Sequence, residues 1–492
     1  MNGESELPEG WKYVKLGDIT SPSKERIDPK ADSTIPYLGL EHIESNSSRI
    51  IGQGIAGETK SLKTVFHAGD VLYGKLRPYL NKVTIPDFEG VCSTDILVFN
   101  QNQNISNRYL MRFLSTQNVV EYANLNSKGI SLPRVSFDRL AQISIPLPPL
   151  AEQRRIVAAV EALLDRVNAS QERLDRVPGL LKAFRQAVLA AACSGRLTEG
   201  WRGELLDVEN IAEFVEKLRN EKILRDKKRM RYLSVSNFLD RHEIPSTWAW
   251  VKLGEISITI DVDHKMPKAI ENGISLISPK DFIEPNIIDF ENAKKISHDD
   301  YDRMCRKIAP ESGDILFSRY GTIGKVRKVP GDKKFQISYS LCLIRPFLEL
   351  KYNDYLYWIL QSAPVYHQAL ANDKSSSIPD VGIKDINNFT IPLPPLPEQH
   401  EIVRRVEALF ALADRIEERV NAAKERADRL TQAILAKAFR GELVPTEAEL
   451  AKIEGREYEP ASVLLERIRE EREAEDLKKK RSSRKRAARK SS

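Results

Sequence analysis

The stretch IPLPPLAEQRRIVAAVEAL, Ile145 to Leu163, returns as IPLPPLPEQHEIVRRVEAL, Ile391 to Leu409, with 14 of 19 positions identical. Working outward from it, the repeat extends to most of the chain. Upstream, AGDVLYGKL at Ala68 to Leu76 returns as SGDILFSRY at Ser312 to Tyr320, and LPEGWKYVKLGDI at Leu7 to Ile19 returns as IPSTWAWVKLGEI at Ile244 to Ile256. The offset between partners rises from 237 through 244 to 246, so small insertions lie in the second copy. An internal repeat of this length decides architecture before any single motif is weighed. Its divergence is uneven: Ser21 to Pro36 and Ile258 to Asn286 share no pattern, whereas the segments after each IPLPPL agree closely. One part of each copy does the same work twice, and the other does two different jobs.

The shared part reads as helix. After Glu152-Gln153, residues Ile156, Val160, Leu163, Val167, Leu174, Val177, Leu181, Phe184 and Val188 fall on one alternating three-four seam, interrupted at Ser170. The second copy continues the pattern from Ile402 through Val406, Leu409, Ala413, Ile416 and Val420 to Ile434. Pro178-Gly179 predicts a kink or break in the first helix, because proline lacks a backbone donor and clashes with the preceding turn. The second helix, with Lys424-Glu425 there, should run on. The divergent parts read as strand-rich. GDVLYGKL, VCSTDILVF, SLISPK, GDILFSRY and ISYSLCLIRPF are short β-branched or aromatic runs bounded by Gly, Pro, Asn and Asp. Helical stretches follow them at Asn107 to Tyr122 and Asn353 to Leu370, so each copy is an α+β globule with one long helix.

At 492 residues the chain calls for two or more compact units. No run approaches an apolar membrane span, and Met1 to Gly10 lacks the basic start and apolar stretch of a signal peptide, so a cytoplasmic location is expected. Four scattered cysteines read as buried reduced thiols. The net charge of +6 hides an asymmetry: nine Lys and Arg follow Asp476, which leaves −3 for the remainder. A nucleic-acid reading therefore needs local basic patches, because the body is not globally basic.

The catalytic motifs fail one by one. Gly69 to Leu76 comes within one residue of a phosphate-binding GxxxxGK[ST] loop, but Leu76 offers no hydroxyl for magnesium, and the residues between the glycines form an apolar strand. The second copy also replaces Gly74-Lys75 by Ser318-Arg319. Adenine methylation needs Asn or Asp before a Pro-Pro-aromatic turn, and both Pro-Pro pairs are flanked by leucine. No acidic-x-Lys nuclease arrangement follows Pro86-Asp87 or Pro379-Asp380, and the seven histidines form no zinc or nucleophile pattern.

Polar, basic surface in corresponding places of both copies is what remains. Lys75, Arg77 and Tyr79 follow a strand in the first copy, and Arg319, Tyr320, Lys325 and Arg327 do so in the second. Close before each helix lie NLNSKGISLPRVS, with Lys128 and Arg134, and ANDKSSSIPDVGIKD, with Lys374, Ser376 and Lys384. Both read as flexible loops with short polar side chains and a few cations. Arg recognises the guanine edge in two places, Asn or Gln the adenine edge, and Lys mainly grips phosphate. An ordinary solvated loop is the competing reading.

The order of variable globule, PLPPLxEQ helix, variable globule, PLPPLxEQ helix resembles the specificity subunits of type I restriction-modification systems over nearly the whole chain. The resemblance rests on the doubled IPLPPL-x-EQ, on FRQAVLAAACSGRLTEGWR at Phe184 to Arg202, on LTQAILAKAFRGELVP at Leu430 to Pro445, and on LPEGW at Leu7 to Trp11. It implies an α+β protein with two target recognition domains in pseudo-twofold repeat, separated by two long antiparallel coiled-coil helices. On that reading the first recognition domain is 1–145, the central helical region 146–202, a linker helix 203–243, the second recognition domain 244–391, the distal helical region 392–445, and a C-terminal helix with the basic tail 446–492. Double-stranded DNA with a bipartite target, two methyltransferase subunits and restriction subunits are the implied partners, with no membrane. The resemblance further implies that the chain itself is non-catalytic and carries no cofactor, with S-adenosylmethionine, ATP and Mg2+ expected on the partners. Roughly thirty helical residues at 1.5 Å each span on the order of 45 Å, more than one turn of DNA, so the helices read as a ruler between half-sites. The basic tail reads as a solvated segment, with salt-sensitive DNA attraction as the alternative. Two other classes stay open: a fused modification enzyme, and a purely structural coiled-coil adaptor.

Overall fold

Each IPLPPL closes a strand before it opens a helix. In the computed structural model, which describes residues 6–30, 32–59, 61–202, 211, 215, 243–262, 265–283, 286–307, 309–347, 353–372 and 378–474, strand Lys12–Lys15 pairs antiparallel with Ser144–Leu147. The second copy repeats the register, Ala249–Lys252 on Thr390–Leu393, with Tyr13 opposite Pro146 and Trp250 opposite Pro392. Prolines then fall where a helix tolerates them. Pro149 precedes Leu150–Cys193, the proximal long helix, and Pro397 lies in the first turn of Leu396–Arg440, the distal one, where a missing N–H breaks no intrahelical bond.

The chain forms two compact units that cut across the sequence segments: Met1–Asp175 with Asn421–Ser492, and Arg176–Val420. Each contains a globule and one end of both long helices. In the first unit, Val71–Gly74 lies between Val83–Thr84 and Ile96–Phe99, and a five-stranded mixed sheet runs from Arg26–Ile27 through Lys63–Phe66, Gly90–Cys92 and Pro36–Leu38 to Gly54–Ile55. The second unit sets Ile315–Ser318 between Leu341–Pro346 and Val326–Lys328, with a separate sheet of Lys294–Ile296, Ile274–Ile277 and Phe335–Ile337. The helical stretches expected after the strands are each split, into Asn107–Leu114 and Gln117–Leu125, and into Asn353–Ile359 and Ala363–Ala371.

Within each unit the two long helices run antiparallel. Gln171 donates to Asp428 (2.8 Å) and Lys424 meets Asp175 (2.5 Å) in the first, while Arg185 bridges Asp414 (2.7 Å) and Glu417 (2.9 Å) in the second. The helices hold 44 and 45 residues, more than the thirty expected. No break occurs at Pro178-Gly179. Both residues are exposed, with nothing within 4 Å of a Cβ on Gly179, so the helix carries the proline ring on a solvent-facing side. The seam is also less uniform than its spacing implies. Ile156, Val160, Ile402 and Val406 are buried under the globules, whereas Phe184, Ile416 and Leu430 are a third to half exposed.

One staple, present in both units, explains why Trp and the Glu-Gln pair belong to the repeat. Trp11 Nε1–H donates to Glu152 (2.9 Å), and Trp248 Nε1–H donates to Glu398 (2.8 Å). Gln153 and Gln399 donate to the carbonyls of Pro148 (3.0 Å) and Pro394 (2.7 Å), and the hydroxyls of Tyr109 and Tyr355 to those of Pro146 (2.7 Å) and Pro392 (2.5 Å). Each glutamate then takes the segment that leaves the opposite helix: Glu447 N–H donates to Glu152 (2.9 Å), and the Thr198 hydroxyl (2.7 Å) and Arg202 (2.9 Å) donate to Glu398. Burial pushes the Glu152 carboxyl up despite its donors. The segments leave through Gly195 and Gly441, both at positive φ, where a Cβ would run into Pro245 and Pro8.

A further helix, 461–474, buries Ala461, Leu464, Leu465 and Ile468 in the core of the first unit, and Arg472 reaches the Gly17 carbonyl (2.6 Å). Ile211 and Val215, described residues of the expected linker helix 203–243, are buried in the core of the second unit at the same four-residue spacing as Ala461 and Leu465. The basic tail lies outside the described residues. Cys92, Cys193 and Cys342 are buried free thiols, pushed by burial to about 12, 11 and 12. Among the described residues no helix is long and apolar enough to cross a membrane.

Candidate nucleic-acid interface

Gly69 to Leu76 makes a turn and the strand Val71–Gly74, not a phosphate loop, and a Cβ on Gly74 would strike Leu40 and crowd the Lys82 carbonyl. The chain leaving that strand is fastened to the loop before the helix. Lys75 N–H donates to Asp95 O (2.9 Å), Val135 N–H to Lys75 O (3.0 Å), and Arg77 N–H to Pro133 O (2.7 Å). Lys128 and Arg134 exchange backbone bonds of 2.9 Å in both directions and close the loop between them. Lys75, Arg77, Lys128 and Arg134, far apart in sequence, therefore belong to one junction, with half-exposed Tyr79 on the next turn.

The second unit builds the same junction with other side chains. Arg319 N–H donates to Ser340 O (3.0 Å), Val381 N–H to Arg319 O (2.9 Å), and Gly321 N–H to Pro379 O (2.8 Å). Lys75 thus corresponds to Arg319 and Arg77 to Gly321. Both latter positions are left-handed, at φ 50 and 76, so glycine is natural at one while arginine is strained at the other.

The side chains divide into two groups. Arg77 and Lys128 are exposed and Lys75 half-buried, and among the described residues none has an ion-pair partner. Arg134 is tied to Asp95 by two bonds (2.9 and 3.1 Å), which raise its pKa further and leave one face of the guanidinium to solvent. Arg319 is 5% exposed and turned inward, donating to the carbonyls of Val381 and Tyr339 (both 3.1 Å), with Asp380 at 3.5 Å. Arg327 is likewise buried, over the Phe282 ring and against the Ile283 carbonyl. The Tyr320 ring packs against that of Tyr339 in a tilted arrangement, half-buried Lys325 ends the hairpin from Ser318, and exposed Lys384 lies on helix Ile383–Asn387. Lys374 and Ser376 lie outside the described residues. In the segment Asn124 to Ser136, expected to be a flexible loop, Asn124 and Leu125 end the helix Gln117–Leu125 and backbone bonds between Lys128 and Arg134 close a turn.

Similarity to known proteins follows this repeat. The model for the type I restriction modification DNA specificity domain matches residues 8–178 and again 245–425, one match for each globule with its helix. The chain belongs to this family. It is similar to the EcoBI specificity subunit of Escherichia coli (34% identity over 399 residues, 79% of this chain and 76% of that one). It is also similar to the EcoKI specificity subunit of Escherichia coli strain K12 (33% over 505 residues, 96% and 98%). A chain solved in work on complex assembly and conformational transition of the type I R-M system superposes with a TM-score of 0.62 at 26% identity, covering 89% of this chain and all of that one. This protein is a specificity subunit of a type I restriction-modification system.

Proposed function

We propose that this specificity subunit reads a bipartite DNA target, one half with each unit, and carries two methyltransferase subunits and the restriction subunits to it. The observation that supports this reading is the doubled junction: one backbone frame, fastened by equivalent hydrogen bonds, presents unlike side chains. Two copies of one surface would read a symmetric site, whereas a shared frame with different polar groups suits two different half-sequences. Lys75, Arg77, Tyr79, Lys128 and Arg134 form the first surface. Tyr320, Lys325 and Lys384 belong to the second, to which Lys374 and Ser376 are added from their place in the sequence alone, with Arg319 bracing it from inside. The partly exposed seam of the long helices is offered to the methyltransferase subunits. Base flipping, S-adenosylmethionine, ATP and Mg2+ belong to the partners, this chain supplies the address alone, and the complex works in the cytoplasm.

A segment exchange tests the division of labour. The exchanged piece must run from Ser21 to Ser136, because the first junction uses both 75–77 and 128–135. Replacing it with the matching segment of another specificity subunit, then mapping methylated bases genome-wide, should change one half of the recognised sequence and leave the other intact. Both halves changing together would refute one unit per half-site.

A further inference from the structure

Both junctions hold a large aliphatic side chain out in water at the same place. Leu132 is 45% exposed and Ile378 is 46% exposed. Each precedes the proline whose carbonyl accepts the junction bond, Pro133 from Arg77 and Pro379 from Gly321. Leu132 sits on a closed turn, and the backbone that follows Ile378 is fastened to the strand end. The Lys128–Arg134 exchange, the Val135–Lys75 bond and the Arg77–Pro133 bond fix the backbone around Leu132, and the Val381–Arg319 bond with the inward Arg319 side chain fixes the backbone after Ile378. The flanking residues differ, Arg134 against Asp380 and Ile130 against Ser376, yet an aliphatic residue stands at this point in both.

Single exposed aliphatic side chains are ordinary, and Ile130 in the same loop is one of them; what sets Leu132 and Ile378 apart is their equivalent place in the two junction frames, each directly before the proline that accepts the junction bond. The surroundings indicate what covers Leu132: Arg77 and Lys128 are exposed and unpaired among the described residues, which suits a polyanion and not an apolar protein face. DNA offers apolar surface beside phosphate in the thymine 5-methyl group and in the faces of bases at an opened step. We propose that Leu132 and Ile378 are the apolar base contacts of the two junctions, each packing on a base of its own half-site, with Arg77 and Lys128 holding the phosphates that flank the first; Ile378 is assigned by its equivalent place in the repeated frame. This rests on the reading of the junctions as the DNA interface.

The test uses the full chain assembled with its methyltransferase subunits, and the DNA site found by methylation mapping. Leu132→Ala and Ile378→Ala should each weaken binding to that site about tenfold. Affinity for unrelated DNA and the salt dependence should not change, because no phosphate contact is lost. Uracil in place of thymine should abolish the difference between variant and parent in one half-site if the methyl group is the contact. 2-Aminopurine fluorescence that rises on binding, and falls back in the variant, would identify an opened step instead. Arg77→Ala is the control, expected to weaken binding to all DNA and lower the salt slope. If Arg77→Ala weakens binding and the alanine variants bind the site like the parent, the inference fails while the interface stands. If Arg77→Ala has no effect, the interface itself is misplaced. Loss of methyltransferase subunits from the alanine variants would assign these side chains to a protein contact and overturn the proposal.

Discussion

The two junctions share a backbone and use their cations in opposite ways. In the first, Arg77 is exposed in a left-handed conformation and Lys75 is half-buried without an ion-pair partner among the described residues; in the second, the residue equivalent to Lys75 is Arg319, buried against two carbonyls, and glycine takes the left-handed position. A frame fastened by main-chain bonds leaves its side chains free to diverge, since the bonds do not depend on them. The staple behaves differently. There the side chains of Trp, Glu, Gln and Tyr themselves carry the bonds, so they are the same in both copies.

The largest effect should come from breaking the staple. Glu398→Ala leaves the Trp248 indole, the Thr198 hydroxyl and Arg202 without their common acceptor in a buried place. A loss of about 3–5 kcal/mol in the stability of the second unit is expected. Limited proteolysis of the variant should cut residues 176–420 well before the first unit. Equal loss in both units would mean that the staples do not act locally.

The inversion of the cations gives the next largest effect. Arg319→Ala strands the carbonyls of Val381 and Tyr339 and should cost about 1–3 kcal/mol in chemical denaturation. Lys75→Ala, its counterpart, should change stability by less than about 0.5 kcal/mol while weakening DNA binding. Similar stability losses at both positions would erase the distinction between bracing and contact.

Arg77→Gly should move stability and binding in opposite directions. Relief of the left-handed backbone at φ 50 stabilises by about 1 kcal/mol, offset in part by the greater freedom of glycine in the unfolded chain. Affinity for DNA should fall at the same time. A variant both less stable and weaker in binding would show that the arginine is there for the fold.

How much of this was legible depends on whether the cause is local. The strand ends, the helices and the doubling follow from proline placement and apolar spacing, and the structure keeps them. Trp11 and Glu152 were both visible, but a bond between side chains 141 residues apart leaves no trace in spacing. The inward turn of Arg319 depends on carbonyls from Tyr339 and Val381, so a cation after a strand reads as a surface group until those segments are placed. Pro178 alone predicts a kink or break, and the helix Leu150–Cys193 runs through it unbroken with the proline exposed. The Leu132-Pro133 and Ile378-Pro379 pairs lie at the offset of 246 that the two IPLPPL segments share, but exposure of a leucine has no sequence signature.

The smallest expected effect concerns proton binding at the first staple, where two carboxyl groups shift in opposite directions. Burial holds Glu152 above the ordinary glutamate value of 4.5, so the folded state keeps that proton more tightly than the unfolded chain does. Its contribution is present below 4.5 and lost as pH rises through the folded value. For Glu447 burial also pushes upward, but Arg155 (2.5 Å) and Arg456 (2.7 Å) outweigh it and hold the carboxyl below 4.5. Its contribution is present above 4.5 and lost on acidification through the folded value. Glu152→Gln removes the first titration and leaves the second, so the stability of the variant relative to the parent should improve steadily from pH 4.5 upward. Glu447→Gln should do the reverse, losing ground to the parent as pH rises through the region below 4.5. Paired urea titrations across pH 3 to 7.5 give both differences. A flat difference for Glu152→Gln would mean that water reaches this carboxylate, and that the first staple, unlike its place in the repeat, is held by packing of Trp11 and not by its bond to the glutamate.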